Sequence, residues 1–577
     1  MTARWLSRRR LGVGALAVGC AIGLAACSTS STAGSASSSG GASSPTSAVS
    51  SGGTFTYAID QDVAGFNINA AAENQFVLQE IMNNVWPQVY LTTNTLAEQL
   101  DTDDVTSVKV AFTSPQTIVY NINPKAVWSD GVPISADDFI YMWQANSGNP
   151  KFTDVGGKVF TPAGTAGYNQ IKSVTSSNGG KTATVVFSSP FGDWRSLFTD
   201  LMPAHIAKVV GFNTGFQTFN SAVKVSGGPF EISSYTQGQD IVEIPNPKWW
   251  GAPVKIKQLV FKIIGDDNQM PPAIQNGEVT AANPSQASLQ FKDAIVGVPN
   301  LTTSIAPGLE FQHMDFNEAN PYLAMVGIRQ AIVSGTNRAD LVNRIVGPIS
   351  TSVKPLDNRM FMPIQPQFQD TGGSYSGYDP AKARQLLTAA GMSMGSDGYF
   401  HPNFGPEKGQ DFTLSVSTTT GNPVRSEIEQ LFQSYMQSIG IKINIQNYSA
   451  ANLFGTVGPK GTFQIIEFAW VSSPFASGNQ SMYCSYTDAA SCGSNWDHYA
   501  NPAIDKLFVQ ALATVNPTQA AVLYNQADAI LWKDAVTLPL FEQPQLYTWS
   551  SQWGNVLPSA SGSGLTWNSF AWGVKAS

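Results

Sequence analysis

The first 53 residues decide where a fold can begin, because nothing in them can build a core. Arg4, Arg8, Arg9 and Arg10 precede an apolar run from Leu11 to Leu24, and small residues follow at Ala25 and Ala26. A cationic start, a short apolar stretch and a small-residue cleavage point together read as a secretory signal over residues 1–26. At 14 residues the run is too short to span a hydrocarbon core of about 30 Å, so a permanent transmembrane helix is the weaker reading. From Ser28 to Gly53 there is no charged residue and almost nothing but Ser, Gly, Ala and Thr. Such a segment cannot offset the entropy of folding and acts as a flexible leash with a mean reach of roughly 28 Å.

The tetrapeptide Leu24-Ala25-Ala26-Cys27 resembles a bacterial lipobox, which implies that Cys27 becomes the lipidated first residue of the mature chain. Residues 27–53 then tie a folded body to the outer face of the cytoplasmic membrane. Ser7-Arg8-Arg9-Arg10-Leu11 suits both an ordinary cationic export signal and a twin-arginine one. Once Cys20 leaves with the signal and Cys27 takes lipid, Cys484 and Cys492 remain. Outside the cytoplasm a pair this close in sequence is expected to form a disulfide, stabilising its loop by about 2–3 kcal/mol on the chain-entropy estimate. A metal site adding Asp497 and His498 would match no standard zinc spacing.

Charge narrows the function classes. Only 12% of the 577 residues are charged, against a usual share of about 25%, and the net charge is −8. A surface that tracks nucleic-acid phosphates is excluded on that balance. The four histidines, His205, His313, His401 and His498, are dispersed without metal-ligand spacing, and the chain has no nucleophile elbow, phosphate-binding loop or dinucleotide fingerprint. The acid pairs Asp103-Asp104, Asp137-Asp138 and Asp266-Asp267 stand in turn or helix-start contexts, where capping explains them better than glycosidase chemistry does. Nothing in these residues asks for enzymatic activity, a cofactor or a metal.

Periodicity gives an α/β body. Phe55, Tyr57 and Ile59 alternate with polar residues, so a strand opens the fold directly after the leash. Residues 118–122 alternate likewise and lead through Trp128-Ser-Asp-Gly131 to Ser135, the expected N-cap of a helix burying Phe139, Met142 and Trp143. Ile428, Leu431, Phe432, Tyr435, Met436 and Ile439 fall at helical steps; Gly440 stops that helix, and Ile441, Ile443 and Ile445 alternate as the next strand. Asp379-Pro380 caps another helix, and two more follow around Ile504–Leu512 and Leu523–Leu531.

An ordered series of short motifs then carries a resemblance. Trp128-Ser-Asp-Gly131, Gly228-Pro-Phe230, Asn246-Pro-Lys-Trp-Trp-Gly251, Gln275-Asn-Gly-Glu278, Ile328-Arg-Gln-Ala331, Tyr378-Asp-Pro380, Ile439-Gly-Ile-Lys442, Asn501-Pro502 and Leu538-Pro539-Leu540 occur in the order seen in extracytoplasmic solute-binding proteins of ABC importers, family 5, the group of peptide and nickel binders. The resemblance implies a two-lobed fold of the periplasmic-binding type (type II, cluster C). Lobe I would take 54–310, with an extra subdomain inserted over about 91–225; lobe II would take 311–536, and 537–577 would return to lobe I. Phe311 to Asn317 and Thr537 to Glu542 are the expected crossings between lobes.

By the same resemblance, a ligand sits between the lobes, and the closed form docks on a permease and its ATPase. The expected cleft residues are Trp470, Ser472, Ser473, Phe475, Asn422 and Tyr448, with Glu73 or Glu467 as sources of negative charge. Oligopeptide binders of the family carry Trp-x-x-Asp at this place, whose carboxylate pairs with the peptide's α-ammonium. This chain reads Trp470-Val-Ser-Ser473, and the arginine often found shortly before the Trp is absent. A hydroxyl can hydrogen-bond an ammonium but cannot neutralise it. The implied function is a monomeric, lipid-anchored receptor delivering a peptide or peptide-like solute to an ABC importer. The alternative is a non-transport regulator of cell-envelope lipid or glycan assembly on the same fold.

Overall fold

The computed structural model describes residues 48–487 and 492–576, so the signal segment, Cys27 and most of the leash lie outside the described residues. The main strands, in chain order, are β1 (Thr54–Ile59), β2 (Val105–Thr113), β3 (Gln116–Ile122), β4 (Ile171–Ser177), β5 (Thr182–Phe187), β6 (Phe230–Thr236), β7 (Asp240–Pro245) and β8 (Gln258–Ile263). They continue with β9 (Ala281–Ala282), β10 (Leu301–Ala306), β11 (Glu310–Phe316), β12 (Thr413–Ser417), β13 (Lys442–Ile445), β14 (Ile465–Val471), β15 (Thr537–Glu542) and β16 (Gln545–Ser550). The helices used below are α1 (Phe76–Met82), α2 (Ala136–Asn146), α3 (Val326–Gly335), α4 (Pro380–Ala389), α5 (Pro423–Ile439), α6 (Pro502–Ala513) and α7 (Pro517–Asp534).

Two sheets define the two lobes. Lobe I is built on a seven-stranded sheet in the order β10-β16-β9-β1-β8-β7-β6. Strand β1 is parallel to both β8 and β9, so it is covered on both faces; this is why Ala58 is buried along with Phe55, Tyr57 and Ile59. Lobe II is built on a five-stranded sheet in the order β13-β12-β14-β11-β15, in which β12 runs parallel to β13 and β14 while β11 runs antiparallel to β14 and β15.

Local signals close the elements. Ser135 Oγ accepts from Asp137 N at 3.3 Å, and Asp138 Oδ2 accepts from Ser135 N at 2.8 Å, a capping box that starts α2. Asp379 accepts from Lys382 N at 2.9 Å to start α4, with Pro380 in its first turn. Gly440 ends α5 at φ +90°, a left-handed cap that a side chain would strain, and β13 follows at once. The four-stranded antiparallel sheet β2-β3-β5-β4 lies inside the segment expected for the insertion. Ile118, Tyr120 and Val185 of this sheet join the same apolar cluster as Phe55 and Tyr57, so it shares lobe I's core rather than forming one of its own.

The chain passes between the lobes twice, at 307–309 and at 543–544, because β10 and β16 belong to the seven-stranded sheet and β11 and β15 to the five-stranded one. Segments Phe311–Asn317 and Thr537–Glu542 are thus lobe II strands next to the passages. The passages run side by side: Gly308 N donates to Glu542 Oε1 at 2.9 Å and Gln543 N to the Glu310 carbonyl at 2.8 Å. A Cβ on Gly308 would stand 2.7 Å from the Gln543 carbonyl oxygen, so only glycine admits this approach. Cys484 and Cys492 are joined by a disulfide with Cα atoms 5.9 Å apart.

Candidate functional site

Three loops leave the carboxyl ends of the parallel strands of lobe II: 418–422 after β12, 446–449 after β13, and 472–475 after β14. In open α/β sheets that edge is where ligands bind. Asn422, Tyr448, Ser472, Ser473 and Phe475 all lie on these loops, with Trp470 at the end of β14. Tyr448 N donates to the Thr418 carbonyl at 3.0 Å and Thr420 N to the Tyr448 carbonyl at 2.8 Å, which stitches the first two loops together. Tyr448 and Trp470 pack on one apolar cluster with Leu453, Ile466 and Phe468.

The side chains differ in what they are free to do. Trp470 stacks on His313 with centroids 5.9 Å apart and 22° between planes, and meets Phe468 and Trp496 at 4.9 and 5.7 Å. It also edges a second cluster with Leu309, Phe311, Leu356 and Leu96, the last from the hairpin at 90–100 on the lobe I side. Asn422 caps α5 by accepting from Arg425 N at 3.0 Å, and its Nδ2 donates across the junction to Gln286 Oε1 of lobe I at 2.6 Å. Ser473 is exposed, and its Oγ is used locally, donating to the Phe475 carbonyl at 2.7 Å and accepting from Phe475 N at 3.1 Å. Ser472 is buried, and its Oγ has no partner.

Glu73 stands apart from this group. It is buried in lobe I under Gly65, where its Oε2 accepts from Asn67 N at 2.7 Å; burial pushes its carboxyl up to about 7 against those backbone bonds.

A polar row at the junction joins the expected Glu467 to residues that the motif series did not point to. Glu310 accepts from Gln286 Nε2 at 2.9 Å and Gln545 Nε2 at 3.5 Å, and Gln312 Nε2 donates to Gln543 Oε1 at 3.5 Å. Glu467 accepts from Thr418 Oγ1 at 2.9 Å, and Arg425 Nη1 donates to Thr419 Oγ1 at 2.8 Å. Burial pushes the Glu467 carboxyl up to about 8 and that of Glu310 to about 7, the nearby Arg425 guanidinium pulling both back. Within this row, Arg425 Nε, Glu467 Oε1, Gln312 Oε1, Gln543 Nε2 and Asn283 Oδ1 are buried without a hydrogen-bond partner. Buried polar atoms are normally paired, so these unpaired donors and acceptors between two lobes stand out from the rest of the interior. Sequence did hold one signal for it. Arg425 is in the first turn of α5, where the positive end of the helix disfavours a cation, so a compensating partner had to be near.

Comparison with known proteins agrees with this architecture. The signature described as bacterial extracellular solute-binding proteins, family 5, middle region, matches residues 106–491, more than half of the chain. The chain belongs to that family. The oligopeptide-binding protein OppA of Mycobacterium tuberculosis is 28% identical over 503 residues, covering 86% of this chain and 81% of its own. The probable monoacyl phosphatidylinositol tetramannoside-binding protein LpqW of the same species is 29% identical over 349 residues, 60% of this chain and 52% of its own. Among solved structures, the periplasmic EDTA-binding protein EppA superposes with a TM-score of 0.84 at 25% identity, covering 92% of this chain and 98% of EppA.

Proposed function

We propose that this protein is the solute-capturing member of an ABC importer, tethered outside the cytoplasmic membrane through Cys27, and that it closes its two lobes over a peptide or peptide-like solute. The observation that carries the reading is the row of unpaired buried donors and acceptors between the lobes, from Gln543 and Asn283 to Arg425 and Glu467. It offers one guanidinium and two carboxyls, the complement of a guest with both a carboxylate and an ammonium, while Trp470 supplies a flat apolar wall. The family and the similarity to OppA supply the importer context. Ser473 is occupied by its own turn, so the α-ammonium of a peptide is expected to find its counter-charge at Glu467 or Glu310 instead.

The test is direct. Mass spectrometry of small molecules co-purifying with the protein should reveal a zwitterionic, peptide-like compound, and titration calorimetry with di- to hexapeptides should give saturable binding that weakens when Arg425 is replaced by Ala. Silence across the peptide set, with no co-purified ligand, would sink the reading. Small-angle scattering should show compaction on binding, since the paired passages at 307–309 and 543–544 are placed to act as hinges.

A second reading rests on the similarity to LpqW, a protein named for binding a mannosylated lipid. There the lobes would hold a glycolipid headgroup and no permease would be engaged. Retention of a permease and ATPase on the immobilised, ligand-loaded protein separates the two: transport requires it and the regulatory reading forbids it.

A further inference from the structure

Lobe I contains a second cavity that shares none of the residues discussed for the cleft. It has a volume of about 210 Å³ and is lined by the acidic run Asp101-Thr-Asp-Asp104, by Trp86 and Trp249, and by Trp567 from the C-terminal segment. At about 30 Å³ per water, the space suits a molecule of about seven heavy atoms.

The acids do not serve as caps or ion-pair partners. Asp101 Oδ1 accepts from Asp103 N at 2.9 Å, a turn that gathers the three carboxyls along one side of the cavity. Asp104 is only 4% exposed, and its Oδ1 has no hydrogen-bond partner. Burial pushes the Asp104 carboxyl well above its ordinary range, and the neighbouring charges that act on it, Asp101 and Asp103, are both negative. Burial likewise raises Asp101 to about 6. A buried acidic cluster with an unmatched acceptor calls for a positive guest.

The kind of cation follows from the geometry. The carboxylate oxygens of Asp101, Asp103 and Asp104 are not among the donor groups that gather to within 4.8 Å of one another, so a compact metal ion is not served. The remaining lining is aromatic. Trp86 is buried, and its Nε1 also has no partner, which offers one donor beside the acids. Trp249 and Trp250 pack with centroids 4.8 Å apart and planes tilted by 44°, and Trp250 Nε1 donates to the Asp103 carbonyl at 2.6 Å, which fixes the acidic run against the indole pair. Indole faces attract a diffuse alkylammonium charge, and carboxylates at the same place add Coulomb attraction.

We propose that this cavity is a second binding site, which takes a small organic ammonium ion between the indoles of Trp86, Trp249 and Trp567 and the carboxylates of Asp101, Asp103 and Asp104. The buried Trp86 N–H matches an oxygen on such a guest, so an ammonium alcohol of choline's size is the fitting class. The site is independent of the solute held between the lobes.

Titration of the purified chain with choline, followed by calorimetry and tryptophan fluorescence, tests this. Saturable binding is expected, with the neutral carbon analogue dimethylbutanol at least about tenfold weaker, since it keeps the shape and loses the charge. Asp103→Asn and Trp249→Leu should each weaken choline by about five- to tenfold. Both should leave the thermal melt and the binding of any cleft ligand as in the native chain, and Arg425→Ala should leave choline binding unchanged. If Asp103→Asn fails to fold, Trp249→Leu, at a half-buried indole, decides alone. The proposal is overturned by no saturable choline binding, by equal binding of choline and dimethylbutanol, or by variants at Asp103 and Trp249 that bind like the native chain. Choline binding lost in Trp470→Ala but kept in Asp103→Asn would place the ammonium in the cleft, which overturns it as well.

Discussion

The two faces of strand β14 show how differently one stretch of chain can be used. Phe468 and Trp470 point to one side, opposite His313 and Phe311 of β11, and build an aromatic wall. Glu467 and Ala469 point to the other, opposite Met314 and Gln312, where Glu467 comes under the influence of the Arg425 guanidinium at the start of α5. The wall is closely packed and mostly aromatic, and it also buries the His313 ring nitrogens, which have no hydrogen-bond partner; Nε2 lies 3.1 Å from Asp315 Oδ1. The polar side is buried with donors and acceptors left over. Adjacent residues thus face two different surroundings, one aromatic and one acidic.

The sharpest way to break this contrast is Arg425→Ala. It removes the Arg425 hydrogen bond to Thr419 Oγ1 and the cation that acts on the buried carboxyls of Glu310 and Glu467, a loss of about 1.5–3 kcal/mol for a hydrogen bond made by a charged group. Chemical denaturation should register that loss, and calorimetry should show cleft binding falling below detection. Arg425→Lys should restore part of the stability without the fork of donors. If Arg425→Ala is as stable as the native chain and binds as well, the polar face has no role.

Next comes the aromatic face. Trp470→Ala removes contacts with His313, Phe468 and Trp496; with the ring half exposed, about 2–3 kcal/mol of stability should go, less than for a fully buried Trp. Ligand affinity should fall by about tenfold while its pH dependence stays as in the native chain. A changed pH profile would mean that the two faces are coupled and the contrast drawn too sharply.

The sequence made the aromatic face legible and, apart from Glu467, left the polar one hidden, for a physical reason. Trp470, Ser472, Asn422 and Tyr448 stand at or beside the ends of strands, and strand ends announce themselves through turn residues and periodicity; the ordered motif series then located them. Glu310, Gln312, Gln286, Gln543 and Arg425 become neighbours only when two distant segments cross between lobes. Their sequence separations exceed 200 residues in pairs such as Gln312 and Gln543, bonded at |i−j| of 231, and no local pattern encodes that. The fold was far more legible, since capping at Ser135 and Asp379 and the stop at Gly440 are local events. The passages between lobes fell just outside the segments expected, because β11 is a full strand of lobe II directly after the first passage and β15 one directly before the second.

Glu467→Gln sharpens the charge side through pH. The Glu467 carboxyl is raised to about 8 in the folded chain, against about 4.3 when unfolded. The folded state therefore keeps a proton that the unfolded state releases, so this group's contribution to stability is full below about pH 4.3 and is lost as pH rises through about 8. Glutamine cannot ionise, so the variant should match the native chain near pH 4 and exceed it progressively as pH rises, by up to about 5 kcal/mol near pH 9. Denaturation at several pH values reads this. Parallel curves would show that Glu467 does not titrate in that window.

The smallest effect belongs to Ser473, the residue at the place where oligopeptide binders of this family carry the acid. Its Oγ is committed to the Phe475 backbone on an exposed turn, so Ser473→Ala should cost about 0.5–1 kcal/mol of stability, the worth of one ordinary hydrogen bond. Affinity for a bound peptide should change by less than about twofold, and by the same factor for free and N-acetylated peptides, because no ammonium is held there. Ser473→Asp should in turn create a preference for the free N-terminus, since a carboxylate neutralises what a hydroxyl only touches. If the native protein already discriminates against acetylated peptides and Ser473→Ala abolishes that discrimination, the hydroxyl is the anchor. Charge selection would then sit on the rim beside the aromatic wall, and the division between the two faces of β14 would fail.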